Sequence, residues 1–214
     1  MLIPLIGLLA AGTGFSQKPK TIELYLGLSQ GIAMSSVGFN PNEKTHLLPG
    51  YYGGLNIVYK SQPIVGVKLE VNYVQKGWES VLDSSQSYSR TLNYIEIPFT
   101  THIMLSKRNS RFLIDIGPYV GYLRSESEKI NISGAVRDYF GHQLDRKLDF
   151  GYCLAFTYQY KTPLGRFGIE ARYSNSLTNL FIPSDEFIYY STKNQVLSAR
   201  IAYTVNIISR QTKN

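Results

Sequence analysis

VGVKLEVNYVQ (Val65–Gln75) and NYIEIPFTTHI (Asn93–Ile103) both alternate with a period of two. In the first, Val65, Val67, Leu69, Val71 and Tyr73 share one face, and Gly66, Lys68, Glu70 and Asn72 share the other. In the second, Ile95, Ile97, Phe99, Thr101 and Ile103 oppose Tyr94, Glu96, Pro98, Thr100 and His102. Successive side chains of a strand point to opposite sides, so each segment is a strand with one almost wholly apolar face. The other face carries few but strongly charged groups, over a length that matches a membrane crossing. This is the pattern of a barrel turned inside out, apolar toward lipid and charged toward its own axis.

Composition agrees. The 214 residues fit one domain, and 17 Tyr with 10 Phe but one Trp is heavy aromatic use, favoured in strands and at membrane interfaces. A mean hydropathy of −0.13 would exclude a helical membrane protein, but a membrane barrel exposes only every second residue to lipid. The 22 Lys and Arg against 15 Asp and Glu give a net charge of +7. They form no run longer than Lys107-Arg108, which argues against a nucleic-acid footprint and is compatible with anionic lipid head groups. The single Cys153 excludes an internal disulfide and reads as a small core residue.

Taken in order, Met1–Ser16 is apolar, uncharged and too short to span as a helix. It reads as a secretory signal cut before Gln17, with an unusual buried strand as the alternative, and residues 17–214 form the barrel domain. Alternation predicts eight strands: Thr21–Met34, Gly50–Lys60, Ile64–Lys76, Thr91–Leu105, Arg111–Leu123, Leu148–Tyr160, Arg166–Ser174 and Gln195–Ser209. Short turns at Ser61–Pro63, Ser106–Ser110 and Lys161–Gly165 alternate with long polar connections at Ser35–Pro49, Gly77–Arg90, Arg124–Lys147 and Ser176–Asn194. Short turns on one rim and long loops on the other are the wiring of a bacterial outer-membrane barrel. The predicted fold class is therefore an all-β, eight-stranded antiparallel transmembrane up-and-down β-barrel.

Three segments, Glu70-Val71-Asn72-Tyr73-Val74-Gln75-Lys76-Gly77, Asn93-Tyr94-Ile95-Glu96-Ile97-Pro98 and Gly117-Pro118-Tyr119-Val120-Gly121, resemble the hallmarks of the PorT-like outer-membrane β-barrel family. The resemblance implies an eight-stranded barrel in the outer membrane of a Bacteroidetes-type bacterium, in a family whose name-giving member belongs to a secretion machinery. The tail Ser209–Asn214 departs from outer-membrane proteins generally in lacking a terminal aromatic, so an internal assembly signal is the expectation, within Tyr203–Ile207.

With the apolar faces outward, Lys68, Glu70, Glu96, His102, Asp115, Asp149, Glu170, Arg172 and Arg200 point into the barrel. Charges in so narrow a space must be paired or hydrated, and eight strands leave an interior that side chains essentially fill, so a structural ion-pair cluster is the preferred expectation. The functional alternative is a proton- or substrate-handling site around Glu96, His102 and Arg200. His46, His102 and His142 have no metal-ligand spacing, and the chain contains no G-x-S-x-G, Walker A or G-x-G-x-x-G motif, so neither metal, cofactor nor catalysis is expected. Aromatic and apolar residues of the long connections, Trp78, Tyr88, Phe181, Ile182, Phe187, Ile188, Tyr189 and Tyr190, are read first as an outer aromatic girdle. The second reading makes Phe181–Tyr190, with Phe181, Ile182, Phe187, Tyr189 and Tyr190 as contact residues, a partner-binding lobe. The expected partners are outer-membrane lipid and lipopolysaccharide, together with secretion or surface-assembly proteins, around a monomer. The main alternatives are a barrel enzyme acting on lipid or peptide at the outer rim and a soluble ligand-binding barrel.

Overall fold

The structure is a computed structural model that describes residues 21–83, 86–131, 140–182 and 189–211. The expected signal at Met1–Ser16, together with Phe187 and Ile188 of the expected lobe, lies outside the described residues. Eight strands follow one another around a closed ring: β1 (Thr21–Asn40), β2 (Leu48–Lys60), β3 (Val65–Asp83), β4 (Gln86–Lys107), β5 (Ser110–Asn131), β6 (Leu148–Thr162), β7 (Gly165–Ser176) and β8 (Ser191–Gln211). Each pairs antiparallel with its neighbours in sequence, and β1 closes the ring against β8 from Thr21↔Gln211 to Asn40↔Ser191. Closure leaves no sheet edge within the hydrocarbon layer, where an unpaired backbone group would have no water to bond.

Burial follows the predicted alternation. Val67, Leu69, Val71, Ile97 and Phe99 are exposed on the outer wall, whereas Lys68, Glu70 and Glu96 are buried. Outward aromatics form two belts. Tyr59, Phe112, Tyr158, Tyr160 and Phe167 ring the short-turn end, and Tyr51, Tyr73, Tyr122, Tyr152 and Tyr173 ring the wall further up. The belts are separated by about eight residues on β2 and β6, or roughly 20 Å for tilted strands, close to the height of an outer-membrane apolar band.

The strands are longer than alternation of apolar residues predicts. β3, β4 and β5 run to 19, 22 and 22 residues, whereas a tilted strand crosses the hydrocarbon layer in about 9–11. The expected loop Gly77–Arg90 is therefore mostly a β3–β4 hairpin, paired from Gly77↔Thr91 to Asp83↔Gln86. The first part of the expected loop Arg124–Lys147 is likewise strand, paired to β4 as far as Ser87↔Asn131. Above the upper belt both sheet faces meet protein or water, so an extended strand no longer needs an apolar outer face and reads like a loop. Gly77 marks the passage: its φ is 148°, and a Cβ there would lie 1.9 Å from the Arg90 carbonyl oxygen, so this register needs glycine.

The register also sets the depth of each residue on the outer wall. Val67 pairs with Tyr59 of the lower belt and lies near the interface, whereas Val71, opposite Leu55, and Ile97 lie between the two belts. Replacing Ile97 or Val71 by Lys is expected to destabilise the barrel by about 2–4 kcal/mol, and the same change at Val67 or Tyr59 by about 0–1 kcal/mol. Urea unfolding in lipid vesicles measures both. Equal losses at the two depths would show that the band is misplaced.

Candidate functional site

All nine inward charges expected from alternation are buried, Lys68 the least at 6% exposed. They are arranged at two levels, set by their positions along the strands. At the level of Glu70, Arg172 on β7 donates to Glu70 on β3 across the lumen and to Glu170 on its own strand at 3.0 Å. Arg200 on β8 reaches Glu170 and, at 3.4 Å, Glu70. Lys68 lies 3.1 Å from Glu70, 3.0 Å from Asp115 and 3.6 Å from Glu170. His102 Nδ1 hydrogen-bonds the second oxygen of Asp115. Tyr52 completes this level: Arg172 Nη1 donates to its hydroxyl at 3.1 Å, and the Arg200 guanidinium lies 4.3 Å from its ring centre. Asn72 donates to Glu70 and accepts from Arg200, so each carboxylate has several donors.

The second level is centred on a residue that sequence reasoning did not single out. Lys76 pairs with Glu96 and lies 2.9 Å from Asp149, and its ammonium stands 4.8 Å from the ring centres of both Tyr94 and Tyr119. Asp149 also accepts hydrogen bonds from Ser176 and Tyr119. Alternation along β3 already placed Lys76 on the Lys68 face; treating it as the end of the strand concealed it. The three conspicuous sequence segments thus meet inside the barrel, one supplying Lys76, the next Glu96 and Tyr94, the third Tyr119.

The alternative trio Glu96, His102 and Arg200 is not brought together. Glu96 belongs to Lys76, His102 to Asp115, and Arg200 to Glu70 and Glu170. Below His102 the lumen contains a cavity of about 20 Å³, bordered by Tyr25, Asn56, Met104 and Gln159, space for about one water. Among the described residues no group of three His, Cys, Asp or Glu side chains is placed to hold a metal ion.

Above the upper belt lies an apolar core of the rim. Trp78 and Tyr88, expected in the lipid-facing girdle, are fully buried and face inward together with Phe39, Leu92, Leu144, Leu180, Phe181 and Tyr189. The girdle is made instead by the outward tyrosines of the two belts. The reason is parity: Trp78 and Tyr88 continue the inward faces of β3 and β4 into the extension, where those faces close over the barrel mouth. Arg90 joins the surrounding elements. It donates to Glu126 at 2.7 Å, pairs with Glu128 at 2.8 Å, bonds the His142 carbonyl, and packs over the Trp78 and Phe181 rings. Burial, followed by donation to Glu128, holds the Tyr88 hydroxyl well above its usual titration range. Of the expected lobe, Phe181 and Tyr189 belong to this core, whereas Ile182 and Tyr190 are exposed.

A closed eight-stranded ring with an apolar, twice-belted wall and a charged interior defines an outer-membrane β-barrel. A family profile described as "Outer membrane protein beta-barrel domain" matches residues 15–182, and the chain belongs to that family and to the bacterial outer membrane. The match is to the barrel family as a whole and not to the PorT-like group in particular. No curated protein matches the chain in sequence. Similar solved structures include the attachment invasion locus protein Ail of Yersinia pestis, at 13% identity over 86% of this chain and 99% of that one with a TM-score of 0.41. OprG of Pseudomonas aeruginosa shares 10% identity over 88% and 97%, with a TM-score of 0.46. Neisserial surface protein A shares 10% over 84% and 96%, with a TM-score of 0.43.

Proposed function

We propose that the barrel is a plugged, non-catalytic scaffold whose work is done at its extracellular rim, in surface attachment or as a secretion-accessory component of the PorT-like kind. The observation that carries this is the filled lumen. Two levels of interlocked side chains cross it, and the cavity beneath them holds about 20 Å³, too little for an aqueous channel or for a lipid or peptide substrate. The His102–Asp115 pair, the arrangement closest to an acid–base dyad, is bound to Lys68 within this plug and serves to hold charge.

Surface function then falls to the rim. Its core holds Phe181 and Tyr189 in place, and Ile182 and Tyr190 project from it as the contact residues of the lobe. Secretion or surface-assembly proteins are the partners proposed for it, with outer-membrane lipid and lipopolysaccharide around the wall of a monomer. The PorT-like assignment is supported by the three segments that converge on Lys76, since they supply one packed unit of the plug.

Purified protein in a planar bilayer is expected to show no stable porin-sized conductance. Cells carrying I182S together with Y190A are expected to lose surface attachment or partner capture, while the barrel still folds and, as expected of the wild type, migrates differently on gels before and after boiling. Steady conductance, or unchanged attachment in the double variant, would overturn the proposal.

A further inference from the structure

The chain's positive charge is not evenly distributed over the molecule. Inside the barrel, Lys68, Lys76, Arg172 and Arg200 face five carboxylates, Glu70, Glu96, Asp115, Asp149 and Glu170. At the short-turn end, Lys60, Lys107, Arg108, Arg111, Lys161 and Arg166 stand against Glu23, and Glu23 is already taken by Lys60 at 2.6 Å and Tyr25 at 3.0 Å. In an outer-membrane barrel this end faces the periplasm, level with the head groups of the inner leaflet.

The β4–β5 turn is the focus of this charge. Lys107 pairs with Ser110, leaving Arg108 and Asn109 as a two-residue hairpin loop. Arg108 has φ 54°, the one non-glycine residue with a positive φ among the described residues. A first loop position with positive φ favours glycine, since a Cβ is disfavoured there. Arginine therefore occupies a place where the backbone would be more relaxed without it. The Asn109 carbonyl accepts from the Lys161 backbone N–H at 2.8 Å and from Arg166 Nη1 at 3.4 Å, which brings one more cation, the Arg166 guanidinium, beside the turn and occupies its carbonyl acceptor.

Beside this turn runs an open groove of about 410 Å³, lined by Lys107, Arg108, Asn109, Ser110 and the outward rings of Phe112, Tyr158 and Tyr160. One end is cationic and exposed. Next come two hydroxyls, Ser110 Oγ and Tyr158 Oη, 3.0 Å apart. Beyond them the groove continues down the lipid-facing wall over Phe112, which is 56% exposed. Cation, hydroxyl and ring follow the order of phosphate, glycerol ester and acyl chain in a phospholipid entering from the inner leaflet.

We propose that this groove is a binding site for an anionic glycerophospholipid of the periplasmic leaflet, with Lys107 and Arg108 on the phosphate and Phe112 and Tyr158 along the chains. The continuous passage from charge to lipid-facing rings favours a lipid over a soluble periplasmic polyanion, which would have no use for the apolar half. The site is separate from the plug and from the rim, so it stands or falls independently of the proposed surface function.

Native mass spectrometry of the detergent-solubilised chain, titrated with phosphatidylglycerol or phosphatidylethanolamine, tests the proposal. Phosphatidylglycerol is expected to bind preferentially, and R108G and K107Q each to weaken it about fivefold, the effect of one cation at an anionic membrane surface. R108G is the decisive variant because it relaxes the turn: heat-dependent gel mobility and thermal stability should be retained or improved while lipid binding falls. K129Q and K193Q, on the opposite rim, should leave binding unchanged. Equal affinity for the two lipids, wild-type binding by R108G, or equal losses from K129Q and K193Q would overturn the site. So would full displacement of phosphatidylglycerol by millimolar inorganic phosphate, which would identify a simple anion site without a lipid.

Discussion

Arg172→Ala should destabilise the folded barrel by about 3–5 kcal/mol, the range seen when one partner of a buried ion pair is removed and the other is left uncompensated. Arg172 is 1% exposed and serves Glu70, Glu170 and the Tyr52 hydroxyl at once. Without it the two carboxylates share only Lys68 and Arg200. Urea unfolding of the protein refolded in vesicles measures the loss, and a second variant separates pairing from packing. Combining Arg172→Ala with Glu70→Gln removes one of the stranded charges and should recover part of the stability, because the two residues are directly coupled. A loss below about 1 kcal/mol for the single change would mean that water screens the lumen, since exposed pairs contribute in that range. The plug would then be a hydrated charge cluster.

Trp78→Ala should have a comparable effect, about 3–5 kcal/mol for a fully buried tryptophan, but confined to the extracellular rim. Trp78 packs on Phe39 with ring centres 5.6 Å apart, lies 6.1 Å from Tyr88, and carries the Arg90 guanidinium on its face. Its loss removes one of the ring faces that keep the Arg90 guanidinium from water. Limited proteolysis of the variant should cut the rim connections while the eight-stranded wall stays protected and keeps its gel mobility. Because the chain has one tryptophan, wild-type fluorescence gives an independent check. Emission should be that of a buried indole and should resist quenching by brominated acyl chains. Strong quenching would return Trp78 to the lipid-facing girdle and remove the rim core from the description.

These two residues mark the division between what was legible in the chain and what was not. Arg172 could be assigned to the interior from parity alone, as could Lys68, Glu70 and Glu96, because a strand between lipid and lumen must alternate and a one-residue slip would put charge into hydrocarbon. Trp78 and Tyr88 obey the same parity. It was missed because their strands continue beyond the membrane, where polar outward residues such as Glu79 and Ser89 remove the contrast that reveals a strand. A bulky aromatic near the end of an apparent span then looks like a girdle residue.

By itself the sequence determined the strand count, the inward and outward faces, the rim that carries the short turns, and the mixed sign of the lumen charge, all consequences of local periodicity and turn chemistry. Only the tertiary structure decided which charges meet. Glu70 and Arg172 are 102 residues apart and come together because ring closure and strand stagger bring β3 and β7 to the same level across the lumen. Glu96 and His102 share a face of β4 but lie six residues apart along it, and the closed ring assigns their partners, sending Lys76 to Glu96 and Asp149 and leaving His102 with Asp115. It also gathers Lys107, Arg108, Lys161 and Arg166 at one point of the periplasmic edge. Periodicity is a property of neighbours along the chain, whereas pairing across a barrel depends on the shear of the closed sheet, which no single strand encodes.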